Sequence, residues 1–89
     1  MNYDKIYPSI DLHGEYVFSA KELTKEFIND NITLKNKKIC IVHGIGEGKL
    51  REMVHDLLKH DKRIKSYKLD FVNPGCTIAE IKEEYLWVN

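Results

Sequence analysis

Two short polar motifs contain the residues of this sequence that are best suited to chemistry. The first is an Asp-Leu-His-Gly stretch that carries Asp11 and His13, and the second begins at His43 and reads His-Gly-Ile-Gly-Glu-Gly. A carboxylate two residues from an imidazole can fix the tautomer of the ring and raise its proton affinity, which suits a general acid or base. The same spacing also fits a hydrogen bond that only holds a turn, and spacing alone favours that simpler role.

The second motif is typical of a loop that binds an anion. Gly44, Gly46 and Gly48 let the backbone approach a ligand closely, and the helix expected after them offers unpaired N–H groups to an oxyanion. Lys49 and Arg51 follow in the first helical turn, where a bound phosphate would offset their repulsion from the positive end of the helix dipole. The spacing fits neither a Walker loop nor a dinucleotide-binding fingerprint. A tight turn without a ligand is the alternative.

Both motifs would lie at one edge of a sheet if the strands before them are parallel neighbours. Two imidazoles beside one phosphate, from His13 and His43, could then divide the acid and base roles in an attack by a ribose 2′-hydroxyl. A divalent ion such as magnesium, held by Asp11, a histidine and substrate oxygens, is the alternative. These three side chains are too few and too mixed to predict a zinc site.

The hydrophobic pattern predicts the elements that position the motifs, in the order β-α-β-α-β-β. Strands are predicted at residues 8–12, 38–43, 64–72 and 76–81, and helices at 17–28 and 50–58. Right-handed crossovers make the first three strands parallel, and the Asn-Pro-Gly turn at residues 73–75 makes the last pair antiparallel. The sequence therefore predicts an α/β fold with a mixed four-stranded sheet. Whether the helices share one face of the sheet stays open.

Several local features refine these elements. Ser19 and Glu22 fit a capping box at the start of the first helix, although its first turn could begin two or three residues earlier. His55 and His60 are predicted to be surface residues of the second helix. The tail at residues 85–87 is expected to cap the core, with base stacking or contact with a partner as alternatives.

Length and composition predict one globular domain. The chain has 89 residues, of which 43% are hydrophobic and 31% charged. No apolar run approaches the roughly 20 residues of a membrane span, and residues 1–8 lack a signal-peptide pattern, so a cytoplasmic protein is expected. In that compartment Cys40 and Cys76 are expected to be buried thiols rather than a disulfide.

Charge is distributed unevenly along the chain although the net charge is zero. Residues 1–34 hold 3 Lys and Arg against 6 Asp and Glu, residues 35–68 hold 10 against 4, and residues 69–89 hold 1 against 4. A basic centre between acidic ends is a hint of a surface that faces a polyanion. The alternative is an ordinary solvated surface.

The motifs together resemble those of the Smr (small MutS-related) domain family. The first family signature, an Asp-Leu-His-Gly turn, is matched at residues 11–14. The second, His-Gly-x-Gly-x-Gly before a basic and apolar helix start, is matched at residues 43–51. A weaker third match, a glycine before a strand centred on threonine, lies at residues 75–78. The resemblance covers about residues 8–82 of a single domain expected over residues 1–89.

This resemblance implies a β-α-β-α-β-β two-layer sandwich similar to the C-terminal domain of bacterial translation initiation factor three. It also implies endonuclease activity, which in this family is DNA nicking in some members and mRNA cleavage on ribosomes in others. Asp11 and His13 would then be the catalytic pair. The site for the substrate backbone would be formed by His43, Gly44, Gly46 and Gly48. The chain departs from the family pattern at residues 16–18, where Tyr-Val-Phe replaces a Thr-type cap and an acidic pair.

Three functions are consistent with these observations. The first is a small endonuclease that acts on RNA or on nicked and branched DNA. The second is a nucleic-acid-binding module without catalysis that uses the same edge, and the third is an interaction domain that uses residues 85–88. The expected partner is nucleic acid, with the ribosome as a further candidate and no membrane. Magnesium is the candidate cofactor, while the substrate polymer, metal dependence and oligomeric state stay open.

Overall fold

The computed structural model describes residues 6–87 and contains the predicted elements together with one additional short helix. The elements are β1 (Ser9–Asp11), α1 (Val17–Thr33), β2 (Lys38–Val42), α2 (Lys49–His60), β3 (Ile64–Leu69), β4 (Cys76–Ile81) and α3 (Glu83–Leu86). Residues 1–5 and 88–89 lie outside the described residues, and with them most of the segment examined for a signal peptide and Val88 of the tail. Within residues 6–87, no helix is long and apolar enough to cross a membrane.

The four strands form one mixed sheet in the order β1-β2-β4-β3. β1 pairs with β2 in parallel, and β4 is antiparallel to both β2 and β3. The predicted mixed sheet is therefore confirmed. Because β1, β2 and β3 run in the same direction, their carboxyl ends and the start of β4 meet at one edge. We call this the loop edge, formed by residues 12–16, 43–48 and 70–75.

The core lies between the helices and one face of the sheet. Side chains of β2 and β4 form that face and pack with apolar side chains of α1 and α2. The members are Ile39, Ile41, Ala79 and Ile81 from the strands and Ala20, Ile28, Val54 and Leu58 from the helices. α1 and α2 also contact each other. Both helices therefore share one face, and the fold is a two-layer α/β sandwich.

Two element boundaries depend on local hydrogen bonds. α1 begins at Val17 with Tyr16 as N-cap and no side-chain cap, so the earlier start is correct and the capping box at Ser19 does not form. β3 ends at Leu69 instead of continuing to residue 72. The reason is that the Asp70 carboxylate accepts hydrogen bonds from the amides of residues 72 and 73, at 3.0 and 2.8 Å, and bends the chain away from the sheet.

The tail caps the core only in part. Leu86 is buried among the core side chains and Tyr85 packs beside it. Trp87 is exposed, and the Lys35 ammonium lies 5.5 Å from the centre of its ring. Lys35 also donates to the carbonyl of Leu86 over 2.8 Å, which ties the tail to the end of α1.

The expectation of two separate thiols is wrong, because Cys40 and Cys76 are joined by a disulfide. β2 and β4 are antiparallel neighbours in which Cys76 lies opposite Val42, so Cys40 is its diagonal neighbour on the same face. The Cα atoms of the two cysteines are 6.5 Å apart, within the range that a disulfide spans. The pairing follows from the strand register, which the spacing of the cysteines does not reveal.

Candidate functional site

A groove of about 730 Å³ lies at the loop edge, between the turn after β1 and the loop after β2. It is lined by residues 13–17 and 43–51, so both motifs contribute to it. The strands β1 and β2 that lead into these motifs are parallel neighbours with Asp11 opposite Val42. The predicted meeting of the two motifs at one edge is therefore confirmed.

Asp11 holds the turn that carries His13. Its Oδ1 accepts a hydrogen bond from the backbone amide of His13 over 2.9 Å, while Leu12 between them is fully buried in the core. The carboxylate thus meets the backbone of His13, and among residues 6–87 no hydrogen bond holds the His13 imidazole. This matches the simpler role that the spacing allowed, a hydrogen bond that fixes the turn.

The His13 side chain is exposed and lies against the loop at residues 44–48, which we call the glycine loop. A Cβ atom placed on Gly44 would be 3.7 Å from Cδ2 of the His13 ring, which is ordinary van der Waals contact. An unrestrained imidazole therefore lies beside the backbone that the sequence predicts to bind phosphate. The structure brings these two parts of the site together.

The loop from residue 44 to residue 48 needs glycine at its two ends. Gly44 and Gly48 have φ values of +83° and +84°, a left-handed conformation that other residues adopt at a cost. Gly48 is the N-cap of α2, and its carbonyl accepts the first helical hydrogen bond from Glu52 at 2.9 Å. The groove therefore lies at the N-terminus of α2, where the first amides of the helix have no helical acceptor and an anion is favoured.

Basic side chains flank this helix start. Arg51 folds back over the loop, since a Cβ on Gly48 would be 3.1 Å from its Nη2. Lys49 lies 3.5 Å from Glu47, and both side chains are largely exposed, so this ion pair contributes little to stability. Both side chains line the groove.

His43 is directed away from solvent, in contrast to His13. Only 4% of its surface is exposed, and both of its ring nitrogens have partners. Nδ1 lies 2.9 Å from the carbonyl oxygen of Gly44, and Nε2 lies 2.7 Å from Oγ1 of Thr77. The same Thr77 hydroxyl lies 2.8 Å from Nε2 of His55. We call His43, Thr77 and His55 the histidine–threonine network.

The partners assign the protons of this network. A carbonyl only accepts, so Nδ1 of His43 must carry a proton and donate it to Gly44. In a neutral ring Nε2 then accepts from the Thr77 hydroxyl, and the Thr77 oxygen accepts from Nε2 of His55. The order of donation is therefore His55 to Thr77 to His43 to the glycine loop.

Both imidazoles of the network favour the neutral form. Burial is the main cause that lowers the pKa of His43, the Gly44 carbonyl partly offsets it, and the nearby Arg51 cation lowers it further. Burial likewise lowers the pKa of His55, helped by the charges of His43 and Arg51. A neutral His43 agrees with the proton assignment, because protonation would turn its Nε2 into a donor and leave the Thr77 O–H without this acceptor.

Sequence reasoning missed Thr77 and misplaced His55. His60 is exposed as predicted, but His55 is partly buried, bonded to Thr77, and its ring centre lies 5.2 Å from that of Tyr67. Two signals point to this arrangement. Thr77 shares a strand face with Ala79, so its hydroxyl must find a partner in the core. His55 lies three residues before the buried Leu58 and shares its flank of α2.

The described residues do not form a metal centre by themselves. Within residues 6–87, no three His, Cys, Asp or Glu side chains converge closely enough to hold an ion. A magnesium ion at Asp11 would take its other ligands from substrate oxygens and water, as magnesium commonly does in phosphate sites.

The match to a family model decides the relationship of the chain. Residues 10–82 match the model of the Smr domain. The chain belongs to the Smr domain family. The matched range includes both motifs and all four strands except the first residue of β1.

This Smr domain matches only a segment of each of two much longer relatives. It is 37% identical over 79 residues to a protein named Endonuclease MutS2 from Symbiobacterium thermophilum. It is 36% identical over 76 residues to the Endonuclease MutS2 of Thermotoga petrophila. These alignments cover 85% and 82% of this chain but only 10% of either relative.

Solved Smr structures have the same fold. The Smr domain of Thermus thermophilus MutS2 superposes with a TM-score of 0.81 at 25% identity, covering 83% of this chain and 96% of that one. YdaL, a stand-alone small MutS-related protein from Escherichia coli, gives a TM-score of 0.80 at 19% identity. That second match covers 85% of this chain and 67% of YdaL, and it shows likeness of fold.

Proposed function

We propose that this Smr domain is a small endonuclease in which His13 acts as general acid or base on a phosphodiester held by the glycine loop. The observation that carries the proposal is the position of the exposed His13 ring against Gly44. A proton-transfer group must lie within hydrogen-bond reach of the reacting oxygen. A phosphate bound by the amides of the loop would bring its oxygens to this ring.

The glycine loop and α2 would bind the phosphate. Amides at the start of α2 and the cations of Lys49 and Arg51 supply donors and positive charge on one side of the groove. Such preorganised donors also stabilise the additional negative charge that develops on phosphate oxygens in the transition state. The names of the relatives, Endonuclease MutS2, agree with this chemistry.

The two motif histidines take different parts in this proposal. His13 has a ring that can exchange protons, whereas both ring nitrogens of His43 are already bonded within the histidine–threonine network. We therefore expect one imidazole to act directly and the other to hold the loop. Asp11 acts through the backbone, since its carboxylate positions the peptide that carries His13.

A nucleic-acid-binding module without catalysis is the second candidate. The observation that favours it is the Asp11 hydrogen bond, which goes to a backbone amide, so that no carboxylate among residues 6–87 is bonded to the His13 ring. The groove, the glycine loop and the cations would serve this function equally well. Binding without cleavage by the isolated domain would also suit a domain that acts only when a larger assembly, such as a ribosome, presents the substrate.

Cleavage of labelled single-stranded RNA and supercoiled DNA, each with magnesium or with a chelator, separates these candidates. We expect wild type to cut at least one polymer and His13→Ala to lose about 10²–10⁴-fold of the rate. His60→Ala is the matched control, because it removes an exposed histidine at the far end of α2. Equal product from His13→Ala and His60→Ala would overturn the catalytic role of His13. Retained binding without any product would favour the binding module.

A further inference from the structure

Exposed apolar side chains are concentrated at the loop edge. Among residues 6–87, eleven large hydrophobic side chains are exposed, and seven of them lie in its three connections or within two residues of them. The seven are Tyr16, Val17, Phe18, Ile45, Leu69, Phe71 and Val72. An exposed apolar cluster at one place on a small domain commonly marks an interaction site. Three members are aromatic: Tyr16 is 84% exposed, Phe18 78% and Phe71 completely.

These aromatic rings lie on both sides of the glycine loop. The strand order β1-β2-β4-β3 places the start of α1, with Tyr16 and Phe18, on one side of the loop, and the β3–β4 turn, with Phe71, on the other. Tyr16 lines the same groove as the loop. The carbonyl of Gly75 in the β3–β4 turn accepts hydrogen bonds from the amides of residues 43 and 44, at 2.9 and 3.0 Å, which joins that turn to the loop.

The turn that carries Phe71 is fixed by its own hydrogen bonds. The Asp70 carboxylate accepts from the amides of residues 72 and 73, and the side chain of Asn73 accepts from the amide of Gly75 over 3.0 Å. Phe71 is therefore exposed on a turn whose backbone is held by hydrogen bonds. An exposed aromatic ring beside a loop suited to an anion favours a ligand that has both a negative charge and a flat apolar surface.

We propose that Tyr16, Phe18 and Phe71 stack on unpaired bases on either side of the phosphate held by the glycine loop, so that the substrate is single-stranded at this site. The proposal rests on the proposed function, which makes the held phosphate part of a nucleic acid. Bases inside a duplex stack on each other and cannot offer their faces to protein rings, whereas unpaired bases can. Because every base has such a face, this recognition tolerates many sequences.

A protein partner is the competing occupant of this surface, and charge argues against it. Charged side chains of both signs, Glu15, Glu47, Lys49 and Arg51, line the groove beside Tyr16 and Ile45, so the cluster does not form a continuous apolar face. Alternation of cationic and aromatic groups is the pattern found in channels for single-stranded nucleic acid.

The test compares binding of three labelled probes: a single-stranded oligonucleotide, the same strand with central abasic sites, and its duplex. Tyr16→Ser and Phe71→Ser each remove one ring. Residue 16 is the N-cap of α1, and serine is favoured at that position, so the helix should keep its start in Tyr16→Ser. We expect the affinity of each variant for the single strand to be about tenfold lower than that of wild type. For the abasic strand, the affinities of variant and wild type should agree within about twofold. The duplex should bind wild type more weakly than the single strand.

The controls separate failure of this inference from failure of the proposed function. Trp87→Ser removes an exposed ring at the opposite edge of the sheet and should leave all three affinities unchanged. Lys49→Gln should weaken binding of the single and abasic strands alike, because both contain the phosphates. Equal losses on both strands in the ring variants, or equal affinity for duplex and single strand, would overturn the stacking proposal alone.

Two further outcomes concern the nature of the partner. If wild type binds none of the probes, the proposed function fails and the stacking proposal fails with it. If wild type instead assembles with itself as its concentration rises, and Tyr16→Ser abolishes that assembly, the cluster is a protein interface. Thermal unfolding of every variant shows whether a loss of binding reflects a loss of fold.

Discussion

His13 and His43 occupy equivalent places in the two motifs and yet differ in almost every physical property. Each follows a strand of the same parallel pair and each precedes a helix. His13 is exposed and its ring rests on Gly44, whereas His43 is buried and bonded through both nitrogens. A ring with free nitrogens can transfer a proton, and a ring with occupied nitrogens can hold a loop. Identical residues at one edge are therefore expected to have separable roles.

The largest expected effect is the stability loss on removing the buried ring. His43→Ala should lower the free energy of unfolding by about 3 kcal/mol, because it leaves a cavity and an unpaired carbonyl. His13→Ala should change it by less than about 0.5 kcal/mol, since that ring is exposed. Urea unfolding monitored by circular dichroism measures both. Similar losses in the two variants would contradict the separation of roles.

Removing the shared hydroxyl should have the next largest effect. Thr77→Val keeps the shape of the side chain but deprives His43 and His55 of a common partner, which should cost about 2 kcal/mol. Thr77→Ser restores the hydroxyl and should recover most of that loss. If the Thr77→Val and Thr77→Ser variants have the same free energy of unfolding, the network does not support the loop.

A smaller effect is expected where the loop meets α2. Gly48→Ala forces a side chain into a left-handed conformation beside the guanidinium of Arg51 and should cost about 1 kcal/mol. The strained loop should also bind a phosphate-containing probe more weakly. The comparison variant is Ala20→Gly within α1, which should cost a similar amount of stability without affecting binding. Equal probe affinity in the two variants would show that the loop conformation is unimportant for binding.

Acidification should produce the smallest change, and it tests the neutral state of the network. The pKa values of His43 and His55 are lowered in the folded protein, chiefly by burial, so near pH 6 the unfolded chain binds more protons than the folded one. The two neutral rings should therefore contribute their full stabilisation above about pH 6.5. The free energy of unfolding should decrease as the pH falls below that value. The free energy of unfolding cannot change by more than about 1.4 kcal/mol per pH unit for each ring.

Urea midpoints between pH 7.5 and 5.5 measure this dependence. His55→Ala should reduce the slope of stability against pH, because it removes one of the two rings whose pKa burial lowers. Nitrogen chemical shifts of the imidazoles provide an independent check, since His43 should carry its proton on Nδ1. A proton on Nε2 of neutral His43 would contradict the order of donation.

Some elements could be predicted almost residue by residue, and others could not. β4 was predicted with its exact bounds, because the Asn-Pro-Gly turn marks its start. α2 was predicted within two residues at each end, because its apolar spacing is regular. β3 was predicted three residues too long, since the hydrophobic Phe71 and Val72 continue its pattern although Asp70 ends the strand. α3 is a single turn of four residues, too short for a periodic signal.

The candidate site shows the same division. Asp11, His13, the glycines, Lys49 and Arg51 were found from motif and spacing, and their functional roles stay predictions. The hydrogen bond by which Asp11 holds its turn is local and was one of the two roles that the spacing allowed. The inward direction of His43 and the pairing of Cys40 with Cys76 were not predicted. Both depend on which strands and helices are neighbours, and local sequence does not contain that information.

The sequence by itself determined the order of elements, the mixed sheet and the two motifs at its carboxyl edge. Hydrophobic period and glycine placement are local properties that specify strands, helices and turns directly. The tertiary structure decided which histidine faces solvent and which is buried. That difference arises because β4 lies beside β2 and brings Thr77 under His43, while β1 is at the edge of the sheet and leaves His13 beside the groove.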